Sequence, residues 1–110
     1  AGVARALSAE GQRLLGRVEP RDLLVALDRT GEQVSSVALS KRLERWTSGG
    51  HRAVVFTLGS AHGLNEDVLT QARWRWSFGP LTLPHDLARV VLWEQLYRAA
   101  SILAGAPYHK

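Results

Sequence analysis

The 110-residue chain is 45% hydrophobic and 22% charged, with 14 Lys and Arg against 10 Asp and Glu, a formal charge of +4. That profile fits one globular domain with a single core; it excludes wholesale disorder and offers no window near the ~20 continuous apolar residues of a membrane helix. Cysteine is absent, which removes disulfides, thiol nucleophiles and thiolate zinc sites and fits a cytoplasmic protein.

Residues Ala4 to Leu15 carry a partial apolar stripe closed by Gly16 and are expected to be helical. Asp22 to Asp28 contains an unbroken apolar run, the pattern of a strand covered on both faces in a parallel sheet. A turn is expected over Arg29-Thr30-Gly31-Glu32. Ser35 or Ser36 then caps a helix to about Trp46, with Val37, Leu39, Leu43 and Trp46 as its buried positions, stopped by Ser48-Gly49-Gly50. Arg52 to Leu58 is a second buried-strand candidate. Asn65 is expected to cap a short helix through about Ala72, and Trp74 to Phe78 alternates like a third strand. Leu81 to His85 reads as a loop or short extended segment. Asp86 is the expected cap of a last helix, Leu87 to about Leu103, ending at Gly105.

This alternation predicts an α/β domain, residues 1–110, with a mostly parallel sheet. Ligands of such sheets sit beyond the carboxyl ends of the strands, here Leu27-Asp28 and Leu58-Gly59, with Gly79 to Pro84 close by. In the last helix Leu87, Val90, Val91, Trp93, Leu96, Tyr97, Ala100, Ile102 and Leu103 span more than one face. A second cover is therefore expected, either a subunit partner or neighbouring elements of the same chain.

Twelve of the 14 cations are Arg, whose fork matches phosphate oxygens and stacks on bases, so nucleic acid is a reasonable partner; a solvated basic surface is the alternative. Gly59-Ser60-Ala61-His62-Gly63 matches neither a Walker loop nor GxGxxG. Gly59 either lets a ligand approach the backbone or makes an ordinary strand-to-helix turn. The rigid, apolar Gly79-Pro80-Leu81-Thr82-Leu83-Pro84 suits an adenine wall or a stiff connection. No serine sits in Gly-x-Ser-x-Gly, and the histidines at 51, 62, 85 and 109 have no ligand spacing, so no metal is expected.

Leu81-Thr82-Leu83-Pro84-His85, Leu96-Tyr97-Arg98-Ala99 and Pro107-Tyr108-His109-Lys110, in this order and spacing, resemble the RlmH family. Leu27-Asp28-Arg29-Thr30-Gly31 and Leu43-Glu44-Arg45-Trp46 extend the likeness upstream. The resemblance implies a SPOUT-type α/β knot with a C-terminal trefoil. It implies a methyltransferase that uses S-adenosylmethionine on N3 of a pseudouridine in 23S ribosomal RNA, acting as a homodimer on the large subunit or whole ribosome.

Carried over, Leu27, Gly59, Ser60, Gly79, Pro80, Leu81, Thr82, Leu83 and Pro84 would hold the cofactor. His85, Arg98, Tyr108, His109 and Lys110 would meet RNA. His109, Tyr108 and Arg98 would serve the reaction: His109 or a water taking the ring proton, Arg98 or a nearby cation offsetting charge on the base, Tyr108 stacking. Without the family, Arg98 has a second reading, an ion pair with Glu94 at i,i+4.

Three departures stand out. The family's opening strand–helix–strand unit is not in this sequence; Ser60 stands where a second Gly is usual and His62 where an acidic or aromatic residue often precedes the next Gly; and Lys110 stands where Arg is usual. The sequence carries no Met and no signal-peptide pattern, so the expectation is a processed chain or a start within a longer product. The alternative function is a non-catalytic RNA-binding or dimerisation module derived from such an enzyme.

Overall fold

The computed structural model describes residues 15–59, 64 and 66–109. Apart from Leu15, the helix expected over 4–15 lies outside them, as do Asn65, Ser60 and Lys110. The central strand is β1 (Leu23–Glu32), with β2 (Val54–Leu58) on one side and β3 (Trp74–Trp76) on the other, both parallel to it. The strands are joined through helices α1 (Ser36–Ser48) and α2 (Glu66–Gln71), and the last helix, α3 (His85–Leu103), follows β3.

Leu23 to Leu27 are all buried because both faces of β1 are covered. Leu23, Val25 and Leu27 join Leu39 and Trp46 of α1, Trp76 of β3, and Leu92 and Ala99 of α3 in one cluster. On the alternate face, Leu24 and Ala26 are buried with Val68 and Leu69 of α2, and the Arg75 side chain donates to the Leu69 carbonyl at 3.2 Å. Each fully buried Leu or Val contributes about 1.5–3 kcal/mol relative to an exposed one, so this double cover is the main stabilising term. The aromatics pack edge to face or stacked: Trp74 on Trp76 at 5.5 Å, Trp76 on Phe78 at 4.9 Å, and Trp46 against Phe56 at 6.2 Å.

The expected turn at Arg29–Glu32 is instead the continuation of β1. Leu27 and Glu32 both pair with Trp76, so the residues between them bulge out and the strand then resumes. The Asp28 carboxylate accepts from the Thr30 N–H at 3.1 Å and from its hydroxyl, which shapes the bulge. Gly31 lets the returning strand lie against the next one: a Cβ there would sit 2.6 Å from the Arg75 carbonyl carbon and oxygen.

The Ser35 hydroxyl accepts from the Ala38 N–H at 3.1 Å, capping α1 as expected, but Val37 is 43% exposed rather than buried. The face turned inward carries serines. Ser36 donates to Gln95 of α3 at 2.6 Å, and Ser40 is buried with its hydroxyl satisfied by the Val37 carbonyl. Small residues let α1 and α3 approach, and the local hydrogen bond removes the cost of burying a hydroxyl.

β2 is shorter than the predicted Arg52–Leu58 and only half-buried, because it is an edge of the strands described. Arg52 is held outside it by Asp22, with Nε to Oδ1 at 2.9 Å and Nη2 to Oδ2 at 2.8 Å, and by Glu19 at 3.0 Å. The Arg52 guanidinium and the Glu19 N–H hold the Asp22 carboxyl below the usual carboxylate range. β3 ends before Ser77, whose hydroxyl turns to Gly79. Asp86 lies in the first turn of α3 and is not its cap: Pro84 holds that position without a side-chain bond.

Candidate functional site

The register sets the strand ends abreast. Leu27 pairs with Leu58 on one side and Trp76 on the other. With strands about 4.8 Å apart, the three carboxyl ends fall within roughly 10 Å. The next residues, Asp28, Gly59 and Ser77, therefore share one edge of the sheet, where parallel sheets receive ligands. Leu27 forms a buried floor and Gly59 is half-buried beside it.

The loop after β3 is anchored at its root. The Ser77 N–H donates to the Glu32 carbonyl at 2.9 Å. The Ser77 hydroxyl accepts from the Gly79 N–H at 3.0 Å and donates to the Gly79 carbonyl at 3.2 Å, a closed turn with Gly79 at φ +119. A Cβ at Gly79 would meet nothing within 4 Å, so open space lies beside the loop. Beyond it Pro80, Thr82 and Pro84 are exposed, Leu83 is half-buried, and Leu81 is 79% exposed. Leu81 is thus a leucine held out to solvent on a stiff, doubly proline-bounded loop.

Ser77 and Glu32 were not among the predicted site residues. The signal for Ser77 is a serine two positions before a glycine, the pattern of a side-chain-closed turn. The signal for Glu32 is weaker: Trp74 carries an indole N–H that seeks an acceptor. Glu32 Oε1 accepts from Trp74 Nε1 at 3.0 Å and from Arg42 Nη2 at 2.9 Å, while the Arg42 guanidinium lies over the Trp74 ring at 4.2 Å. This trio ties the return of β1 to both α1 and β3.

The C-terminal residues gather on α3. The helix ends with the Ala106 N–H on the Ser101 carbonyl at 2.9 Å, which turns the chain back along its last turns. Tyr108 then meets Tyr97 edge to face at 4.8 Å, and the Arg98 guanidinium covers the Tyr108 ring at 4.8 Å. Arg98 Nε donates to Glu94 Oε1 at 2.6 Å, and Arg98 Nη1 lies 3.1 Å from His109 Nδ1. Arg98 thus makes the i,i+4 ion pair and reaches the tail as well. His85 is not brought to this group: it begins α3, about 20 Å along the axis from Arg98.

One face of α3 stays uncovered. Leu87, Val90, Trp93 and Tyr97 are 48, 63, 65 and 61% exposed, whereas Leu92 and Ala99 on the opposite side are buried. At the amino edge of the sheet, away from the strand ends described above, a cleft of about 230 Å³ lies among Val18, Pro20, Leu23, His51 and Arg73. Among the described residues no group of three or more His, Asp or Glu is placed to hold a metal ion, and no helix is long and apolar enough to cross a membrane.

The family model described as "Predicted SPOUT methyltransferase" matches residues 2–109. Three curated relatives carry the name ribosomal RNA large subunit methyltransferase H. That of Maridesulfovibrio salexigens is 48% identical over 100 residues, 91% of this chain and 64% of the relative. That of Anaeromyxobacter sp. (strain Fw109-5) is 46% identical over 110 residues, 100% of this chain and 71% of the relative. That of Azotobacter vinelandii is 44% identical over 110 residues, 100% of this chain and 70% of the relative. The chain thus spans about two thirds of the length of these relatives. The family match runs from residue 2 to residue 109, and the parallel α/β sheet agrees with it: the chain belongs to the SPOUT methyltransferases.

Proposed function

We infer that this single domain is a methyltransferase that uses S-adenosylmethionine on N3 of a pseudouridine in large-subunit ribosomal RNA, in the cytoplasm and on assembled ribosomes. The observation that carries the reading is the register placing Leu58, Leu27 and Trp76 side by side, with the anchored loop at Gly79 next to them. The names of the relatives, which are ribosomal RNA large subunit methyltransferases, supply the substrate class. Membership in the family implies the C-terminal trefoil knot.

The residues present suit the cofactor. The open space beside Gly79 leaves room for a ligand, Leu27 and Leu81 offer apolar walls, and the backbone N–H groups of Leu81, Thr82 and Leu83 are suited to edge hydrogen bonds. Gly59 and Ser60 would line the same site from β2, with Pro80, Thr82, Leu83 and Pro84 completing the loop. When bound, the cofactor supplies a methyl group on a sulfonium, whose transfer leaves a neutral thioether. The protein's own work is geometric. It must hold the base so that its nitrogen lies in line behind the methyl group, and it must exclude water. Arg98, Tyr108, His109 and Lys110 would face the base and its phosphates, with His85 meeting RNA elsewhere.

The exposed stripe Leu87, Val90, Trp93 and Tyr97 suits a homodimer interface. The family resemblance implies that in such a dimer one chain's tail meets the other's loop, so that the site draws on both.

The test is calorimetry with S-adenosylmethionine, followed by transfer of a labelled methyl group to ribosomes lacking the modification. Binding, with label recovered as N3-methylpseudouridine and more of it from whole ribosomes than from naked RNA, is the expected result. No binding at millimolar ligand would favour the non-catalytic RNA-binding or dimerisation module. Equal labelling of naked RNA would refute the preference for ribosomes.

A further inference from the structure

Arg98 is clamped on three sides: Glu94 accepts from its Nε–H, the Tyr108 ring lies against its plane, and its Nη1 points at His109 Nδ1. Guanidinium has no lone pair to offer, so this last contact has only one sense. Arg98 donates and His109 Nδ1 accepts. A neutral imidazole with its lone pair committed at Nδ1 carries its proton on Nε2, the nitrogen on the far side of the ring. In that state His109 has nothing left at Nε2 with which to receive a proton.

We propose that Glu94 and Arg98 are positioning residues that lock His109 as the Nε2–H tautomer, making it a hydrogen-bond donor to an imide carbonyl of the target base rather than the group that removes the ring proton. The inference rests on the methyl-transfer reading for the identity of the target, but not for the tautomer. When the nitrogen loses its proton, charge spreads onto the flanking carbonyl oxygens. A fixed Nε2–H donor stabilises that charge, as preorganised donors do wherever an oxyanion develops. The ring proton itself leaves to water or another acceptor. The bond from nitrogen to methyl forms as the bond from sulfur to methyl breaks, with that electron pair staying on sulfur. Tyr97 and Tyr108, packed edge to face, hold the tail against α3 with His109 beside Arg98.

Two measurements test this. Nitrogen NMR of the full chain labelled on histidine, at about pH 8 where an ordinary imidazole is neutral, reads the tautomer directly, with His109→Gln identifying the resonances. His109 is expected to show an unprotonated Nδ1 and a protonated Nε2, and Arg98→Gln to move both toward the averaged values of free imidazole. A proton on Nδ1 in the unaltered chain, or shifts indifferent to Arg98→Gln, overturns the proposal.

Single-turnover transfer supplies the second. Gln places an N–H where Nε2 stood but cannot act as a base, so His109→Gln should lose about tenfold while His109→Ala loses about 100-fold or more. Glu94→Gln should lose about tenfold and loosen the His109 resonances together. Equal losses for His109→Gln and His109→Ala would make His109 the base and sink the donor role. Should the unaltered chain transfer no methyl group at all, the functional reading fails, while the nitrogen shifts still decide the tautomer.

Discussion

Gly31→Ala is the sharpest test of how the site edge is built. The added methyl would lie 2.6 Å from the Arg75 carbonyl carbon and oxygen and 2.7 Å from the Trp76 nitrogen. All three are backbone atoms of a paired strand, so no side chain can rotate away to make room. Gly31 itself is not at positive φ, so the cost comes from space and not from conformation. Forcing one carbon into a packed site costs about 1–3 kcal/mol. For a domain of this size, a shift of about 4 °C per kcal/mol gives a melting point lowered by roughly 4–12 °C. Urea unfolding followed by tryptophan fluorescence should show a lower midpoint with unchanged slope. The Glu32 carbonyl should also lose its hold on Ser77, so cofactor affinity should fall alongside stability. A midpoint within error of the parent would refute the close approach of β1 to β3 and, with it, the account of the loop's anchorage.

Leu81→Ala should leave stability within about 0.5 kcal/mol, since the side chain is 79% exposed, yet weaken S-adenosylmethionine about tenfold by calorimetry as an apolar wall is lost. Trp93→Asp, also at an exposed position, should leave the circular dichroism spectrum intact; on the proposed homodimer, the parent should sediment as a dimer and the variant as a monomer. Asp22→Asn should lower the melting point at neutral pH. Because the folded state holds the Asp22 carboxyl below its ordinary range, its stabilising contribution is complete above that range and disappears as pH falls through the lowered value. Melting curves of parent and variant should therefore converge in acid; a gap that persists at the lowest pH would contradict the pairing with Arg52.

The order of elements was legible because the local signals were strong: an unbroken apolar run at Leu23–Leu27, a serine cap at Ser35, alternating aromatics at Trp74 and Trp76. Two of the differences share one cause, contacts made with residues distant in the chain. Asp28 to Glu32 has the composition of a turn, and only the backbone of Arg75 and Trp76 makes it a bulged strand. Val37 looked like a core position until α3 selected the serine face of α1. Asp86 differs for a local reason: α3 already begins at His85, so the cap position falls on Pro84. In the site, the Arg98–Glu94 pair followed from spacing. The contact of Arg98 with His109 did not, since it depends on how the chain reverses after Leu103.

Among the described strands the central one precedes both of its neighbours in the chain, and this bears on how the protein is made. As synthesis proceeds, Leu23-Leu24-Val25-Ala26-Leu27 emerges before the two strands it pairs with here, and it waits for the second of them until Trp74 to Trp76 has followed. Five consecutive apolar residues without a charge are a short template for self-association. Asp22 and Asp28 bracket that run, one at each end. Negative charges in those places discourage stacking of nascent chains during the interval, so the two aspartates act as gatekeepers before either finds its folded partner.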